Sequence, residues 1–147
     1  MFEISIKSHF CGAHRLIGYK GKCANLHGHN WEVEVFLRGT RTNRLGMLVD
    51  FKNVKEILNG VLAKLDHQNL NALPIFKETN PTAENIAKFI FDELFPKFNS
   101  NPPATLGARP QHFAQRCGQV ALRAGCRLNR VRVSETAGTS ACYGRKL

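Results

Sequence analysis

Apolar and polar positions alternate at the start of the chain: Phe2, Ile4, Ile6 and Phe10 interleave with Glu3, Ser5, Lys7 and His9, broken only at Ser8. A period of two predicts a half-buried strand, and this one delivers His14 just past its end. Trp31, Val33, Val35 and Leu37 alternate with Glu32, Glu34, Phe36 and Arg38, a second strand entered directly from His27 and His29. The two strands are expected to pair, with the intervening loop carrying Cys23. The period then changes. After Asp50, a good N-cap, Phe51, Val54, Ile57, Leu58, Val61, Leu62 and Leu65 recur at helical spacing, predicting a helix of about four turns that ends near Asp66-His67. Pro81-Thr82 signals a second helix with Thr82 as its N-cap, Ile86, Phe89, Ile90 and Leu94 on its apolar side, and Pro96 as its stop. Val131 and Val133 mark a third strand and residues 141–145 a fourth. Two strands, a helix pair and two strands make an α+β pattern.

Composition sharpens this in three ways. A chain of 147 residues, 43% hydrophobic and 22% charged, has the size and balance of a single globular domain. Residues 99–127, opening Asn-Ser-Asn-Pro-Pro, differ from their surroundings and read as an insertion, with a short helix expected near Phe113 to Arg123. No apolar run approaches the roughly 18 residues of a membrane span, and five cysteines without framework spacing suit reduced thiols, so a cytoplasmic protein is expected. The formal charge of +10 calls for an anionic partner or a solubility role. Its basic excess is late: Arg109, Arg116, Arg123, Arg127, Arg130, Arg132, Arg145 and Lys146 face a single acid, Glu135, after residue 100.

The chemistry concentrates in Cys23-Ala24-Asn25-Leu26-His27-Gly28-His29. On a strand, His27 and His29 point to one face, where a single divalent metal can take both imidazoles. His14 supplies a third. Three histidines with a free position suit a catalytic zinc, whereas structural zinc is closed by four protein ligands. Cys23 then reads as chemistry, with a role as fourth zinc ligand as the structural alternative. Taken singly, each feature has a plainer explanation: an isolated His-x-His is often strand surface, Asp66 and His67 can cap a helix C-terminus, and Glu135 can neutralise Arg130 or Arg132.

Together these residues resemble the 6-pyruvoyltetrahydropterin synthases and the bacterial 6-carboxytetrahydropterin synthases. The resemblance rests on Phe10-Cys11-Gly12-Ala13-His14, the Cys23 to Asn30 stretch, Gly46 to Phe51, Leu65-Asp66-His67, Pro81-Thr82-Ala83-Glu84-Asn85 and Ser134-Glu135-Thr136, in that order. It implies a tunnelling fold: a four-stranded antiparallel sheet with two helices packed on one face, oligomerising into a barrel, a hexamer among the expected assemblies, with active sites between subunits. It also implies Zn2+ held by His14, His27 and His29, Cys23 as the proton-transferring thiol, Asp66 and His67 completing a relay, and Glu135 holding the pterin ring or joining that relay. Thr82 and Glu84 are expected beside the same ring.

The three residues between Cys23 and His27-Gly28-His29 are similar to the bacterial carboxy-forming type, since the pyruvoyl-forming enzymes generally have a longer gap. The implied reaction converts 7,8-dihydroneopterin triphosphate to 6-carboxytetrahydropterin with release of acetaldehyde and triphosphate, as in queuosine biosynthesis. Pyruvoyltetrahydropterin formation is the near alternative. A basic, zinc-containing nucleic-acid module is the distant one, disfavoured because exposed interleaved aromatics and finger spacing are missing. Cys11-Gly12 stands where the family commonly has small non-thiol residues, and Ser134 and Ala137 replace a frequent aromatic and proline.

Overall fold

The computed structural model describes residues 1–99 and 126–144. Two long strands, β1 (Phe2–His14) and β2 (His27–Gly39), pair antiparallel over their whole length. After them come helix α1 (Phe51–Leu62), a two-residue strand β3 (Gln68–Asn69), helix α2 (Ala83–Asn99), and strands β4 (Arg127–Thr136) and β5 (Thr139–Gly144). Short 3-10 turns cover Lys22–Ala24, Leu70–Ala72 and Pro74–Phe76. The expected insertion and its short helix lie almost wholly outside the described residues.

The sheet order is β3-β1-β2-β4-β5. It is mixed and five-stranded, where four antiparallel strands were expected. The four long strands are indeed antiparallel, and the addition is β3, which runs parallel to β1 at Gly12 and Ala13. Its cause lies in the turn before it. The Cys11 N–H donates to Asp66 Oδ1 at 2.9 Å and the His67 N–H donates to the Cys11 carbonyl at 2.6 Å, so the chain leaving α1 is drawn along the free edge of β1.

One face of the sheet is apolar and carries both helices. Ile6, Phe10, Trp31, Val33, Val35, Leu37, Val131 and Val133 pack there against Val54, Leu58, Val61, Ile86, Ile90, Phe91 and Leu94. β4 holds Leu128 and Val131 on this face although they are three apart, because a register shift opposite Phe36/Leu37 leaves Asn129 as the extra residue. Asp50 caps α1 as expected, its side chain accepting the Lys52 N–H at 2.9 Å. Thr82 caps α2, its hydroxyl accepting from the Asn85 N–H at 3.4 Å.

Pro96 does not stop α2. The helix continues to Asn99 because the apolar row Ile86, Ile90, Leu94 extends by one more turn to Phe98, buried to 2% exposure. The Asn99 side chain then accepts the Leu128 N–H at 3.0 Å, joining the helix end to β4. Burial of a phenylalanine, about 1.5–3 kcal/mol, together with that bond is of the size of the roughly 3 kcal/mol a helix-interior proline costs. α1, by contrast, ends earlier than expected, at Leu62, and reaches His67 through turns.

Candidate active site

Strand register brings the expected metal ligands together. His14 pairs with His27 and Gly12 with His29 across β1 and β2. Side chains alternate, so His27, His29 and Trp31 share the helix side of β2 while His14 shares it on β1. β4 meets β2 at Ser134 opposite Glu32, which sets Glu135 on that same side, one strand further on. The result is a cluster at the end of the apolar face. Ring centroids lie 4.6 Å apart for His14 and His27, 4.8 Å for His27 and His29, and 5.3 Å for His14 and His29. The ligand atoms of these three and of Glu135 all fall within 4.8 Å of one another.

Hydrogen bonds fix which nitrogen each ring offers. His14 Nδ1 lies 2.7 Å from the Pro81 carbonyl and His27 Nδ1 lies 2.7 Å from the Asn25 carbonyl. A carbonyl only accepts, so both Nδ1 atoms carry the proton, and in the neutral rings both Nε2 lone pairs are free. His14 Nε2 lies 3.2 Å from Glu135 Oε1. His29 Nε2 is 2.9 Å from the same oxygen but out of line for a hydrogen bond, and among the described residues it is buried with no hydrogen-bond partner. Burial, with His14 and His27 nearby, holds the His29 imidazole below the usual histidine range against the pull of Glu135. With the Nδ1 atoms of His14 and His27 turned to carbonyls, the remaining ring nitrogens and the Glu135 carboxylate converge on one point, an arrangement that could hold a cation. Tetrahedral zinc at about 2.0–2.1 Å would set ligand atoms roughly 3.3 Å apart, so the residues present fit a divalent metal.

Trp31 forms the floor. It is fully buried, its ring edge-on to His14 at 4.9 Å and to His29 at 5.4 Å, and its indole N–H donates to the Gly12 carbonyl at 3.2 Å. The sequence pattern marks Trp31 only as an apolar position of the second strand, although its two-residue spacing from His29 puts it on the histidine side. The Pro81 and Asn25 carbonyls were missed as well, and Pro81 had no signal at all, being a backbone group 67 residues from the ring it holds.

An open groove of about 480 Å³ adjoins the cluster, lined by Cys11, Gly12, Ala13, Gly28, His29, Asn30, His67, Gln68 and Asn69. His67 projects there with a side chain 80% exposed, its backbone at φ 55, a left-handed conformation that costs a residue with a Cβ some strain. Its Nε2 is 3.7 Å from Asp66 Oδ2, while Asp66 Oδ1 is engaged by the Cys11 backbone. Asp66 and His67 therefore anchor to β1 and do not merely end α1.

The remaining candidates stand apart from this cluster. Cys23 is half-buried in the loop between β1 and β2, and it contributes no atom to the four-residue group and does not line the groove. The fourth group beside the histidines is thus Glu135, not the thiol. Thr82 and the exposed Glu84 sit at the start of α2, next to the Pro81 carbonyl that orients His14. Glu135 is not the partner of Arg130 or Arg132: Arg130 pairs with Glu3 and Arg132 with Glu34, on the opposite face of the sheet.

Comparison with known proteins agrees with this geometry. The family model for 6-pyruvoyl tetrahydropterin synthase matches residues 3–146. A Dictyostelium discoideum protein named 6-pyruvoyl tetrahydrobiopterin synthase is 41% identical over 99 residues, covering 59% of this chain and 73% of its own. A Rickettsia typhi protein named 6-carboxy-5,6,7,8-tetrahydropterin synthase is 33% identical over 114 residues, covering 66% of this chain and 83% of its own. The solved 6-pyruvoyl tetrahydropterin synthase of Caenorhabditis elegans superposes with a TM-score of 0.72 at 28% identity, covering 99% of this chain and 96% of that one. The chain belongs to the 6-pyruvoyl tetrahydropterin synthase family.

Proposed function

We propose that this protein is a zinc-dependent lyase that converts 7,8-dihydroneopterin triphosphate to 6-carboxytetrahydropterin, releasing acetaldehyde and triphosphate, in queuosine and 7-deazapurine biosynthesis. The observation that carries the reading is the convergence of His14, His27 and His29, two of them with Nδ1 tied to a carbonyl, on one point beside Glu135. A metal bound there would polarise the side-chain oxygens of the substrate and make the adjacent C–H acidic.

The protein's own groups divide the remaining work. Cys23 takes the proton. His67, oriented by Asp66, exchanges it. Glu135 accepts from the paired N–H donors of the pterin edge or joins the relay, and Thr82 and Glu84 flank the ring from the start of α2. In the net change the C1′–C2′ bond breaks, water supplies the second carboxyl oxygen, and the ring gains the reducing equivalents that C1′ gives up. Triphosphate leaves from C3′, and C2′ with C3′ departs as acetaldehyde.

Cys23 lies outside the groove that His67 lines, which supports active sites completed between copies in a homo-oligomeric barrel. The same reading takes the chain as one pterin synthase domain carrying an insertion at about 99–127, acting in the cytoplasm. Among the described residues no helix is long and apolar enough to cross a membrane.

Pyruvoyltetrahydropterin formation is the second reading, favoured by the name of the Dictyostelium relative. The Cys-to-His spacing of three residues favours the carboxy product. Incubation of zinc-loaded protein with dihydroneopterin triphosphate, with products identified by mass, separates them. Acetaldehyde with a 6-carboxy pterin is expected, a 6-pyruvoyl product transfers the assignment to the second reading, and no turnover overturns both.

A further inference from the structure

The loop that carries Cys23 buries little of itself. Ile17, Tyr19 and Leu26 are 63%, 54% and 57% exposed, and Gly18 turns at φ 82. Apolar packing therefore gives it scant hold, yet the loop must stay in register because it joins His14 to His27. What holds it is a pair of side-chain amides. The Arg15 N–H donates to Asn71 Oδ1 at 2.8 Å, and Asn71 Nδ2 donates back to the Arg15 carbonyl at 3.0 Å. The Ile17 N–H donates to Asn80 Oδ1 at 2.8 Å, and Asn80 Nδ2 donates back to the Ile17 carbonyl at 3.0 Å.

Between those two residues the chain turns its other side to the thiol segment: the Leu16 N–H donates to the Cys23 carbonyl at 2.8 Å. Residues 15 to 17 thus behave as a strand with two neighbours, one made of asparagine amides and the other of Cys23 itself. The amides are fixed in turn. The Asn80 carbonyl accepts from Asn85 Nδ2 and from the Thr82 N–H, both at 2.8 Å, and the Asn71 N–H donates to Asn69 Oδ1 at 3.2 Å. Asn80 also directly precedes Pro81, whose carbonyl orients His14. One segment therefore grips both a metal-facing imidazole and the loop bearing the thiol.

We propose that Asn71 and Asn80 are positioning residues, a two-point latch that holds residues 15–17 and through them fixes Cys23 relative to the histidine cluster. The consequence for turnover rests on the reading of Cys23 as the proton-transferring thiol. Reach matters: each amide must meet an N–H and a C=O of the same residue, which the longer glutamine overshoots and alanine cannot do.

The test is site-resolved alkylation of the full-length, metal-loaded protein with iodoacetamide, read by peptide mass spectrometry with Cys142 as internal reference. In Asn71→Ala and Asn80→Ala, Cys23 is expected to react about tenfold faster than in the wild type while Cys142 is unchanged, since each variant frees two hydrogen bonds and lets the loop open locally. Turnover should fall by a similar factor with KM and zinc content retained, and Asn80→Gln should not rescue it. An unchanged Cys23 rate in folded variants overturns the latch. A faster Cys23 with undiminished turnover upholds the latch and overturns the catalytic reading of the thiol. If the alanine variants do not fold, hydrogen exchange of the wild type decides: slow Arg15 and Ile17 amides are expected, and exchange as fast as in free peptide overturns the proposal.

Discussion

The two faces of the sheet handle polar groups in opposite ways. On the open face every described acid has found a base: Glu3 meets Arg38 at 2.6 Å and Arg130 at 3.0 Å, Glu34 meets Arg132 at 3.2 Å, and Lys7 meets Glu32 at 2.9 Å. Arg130 also lies over the Phe36 ring at 3.8 Å, and the Glu3 carboxyl is held below its usual range by its hydrogen bonds to Arg130 and Arg38. On the helix-covered face the polar groups at the end, His14, His27, His29 and Glu135, turn their ligand atoms toward one point, all within 4.8 Å of one another. Complementary charges satisfy a fold by themselves, whereas three imidazoles and one carboxylate converging on a point suit a bound cation. The contrast separates structure from function more cleanly than exposure does, because Glu34, at 8%, is nearly as buried as His14, at 2%.

The sharpest way to break this contrast is to remove one of the imidazoles. His14→Ala should lower zinc affinity more than about 100-fold, beyond what loss of an outer-shell partner costs, and abolish turnover, while leaving the apolar part of the face intact. Zinc content by elemental analysis beside the far-ultraviolet circular dichroism spectrum checks it. Full zinc occupancy in the variant would remove His14 from the centre. Cys23→Ala comes next: turnover should fall by about 10² to 10⁴, the usual worth of a positioned acid or base, with zinc content unchanged. Undiminished turnover would exclude the thiol from the chemistry, and lost zinc would make it a ligand.

Which parts were legible in the sequence follows from the range of the forces involved. β1, β2, α1 and both helix caps came from periods of 2 and 3.6 and from residues such as Asp50 that act on their nearest neighbours. The histidines were legible because two-residue spacing dictates a shared face. β3 was not: two residues have no period, and they follow β1 only because Asp66 and His67 grip Cys11 from 55 positions away. Pro96 misled because the burial of Phe98 depends on what α2 packs against. The approach of Glu135 to the histidines needed the register of β4 on β2, shifted by the extra Asn129, which no local pattern announces. The motif resemblance implied Glu135 as a site residue but did not place its carboxylate against His14 and His29, where the structure has it.

Breaking a pair on the open face should cost stability and leave the chemistry alone. Arg132→Met strands the Glu34 carboxylate, whose side chain is only 10% exposed. Losing the partner of a largely buried charged group is worth about 1–3 kcal/mol, and the 41% exposure of Arg132 places this pair at the lower end. Urea denaturation should show the loss at unchanged slope, and zinc content should match the wild type. A variant that lost zinc would mean that the two faces are coupled.

The smallest effect at neutral pH concerns two thiols on the two sides. Cys142 is exposed on the open face, while Cys126 is buried in the core, where desolvation pushes its thiol up to about 11 from an ordinary 9.0. In the folded protein at pH 8, Cys142 should be alkylated readily and Cys126 hardly at all. The sign for stability follows from linkage. A thiol whose folded value is raised binds more proton in the folded than in the unfolded state between the two values, so its contribution is complete below about pH 9 and is lost as pH rises through about 11. Melting temperatures of the wild type and Cys126→Ala should therefore keep a constant separation up to pH 9 and converge above it, since only the wild type has this contribution to lose. A separation that stays constant to pH 11 would show that the Cys126 thiol is not held neutral by the core.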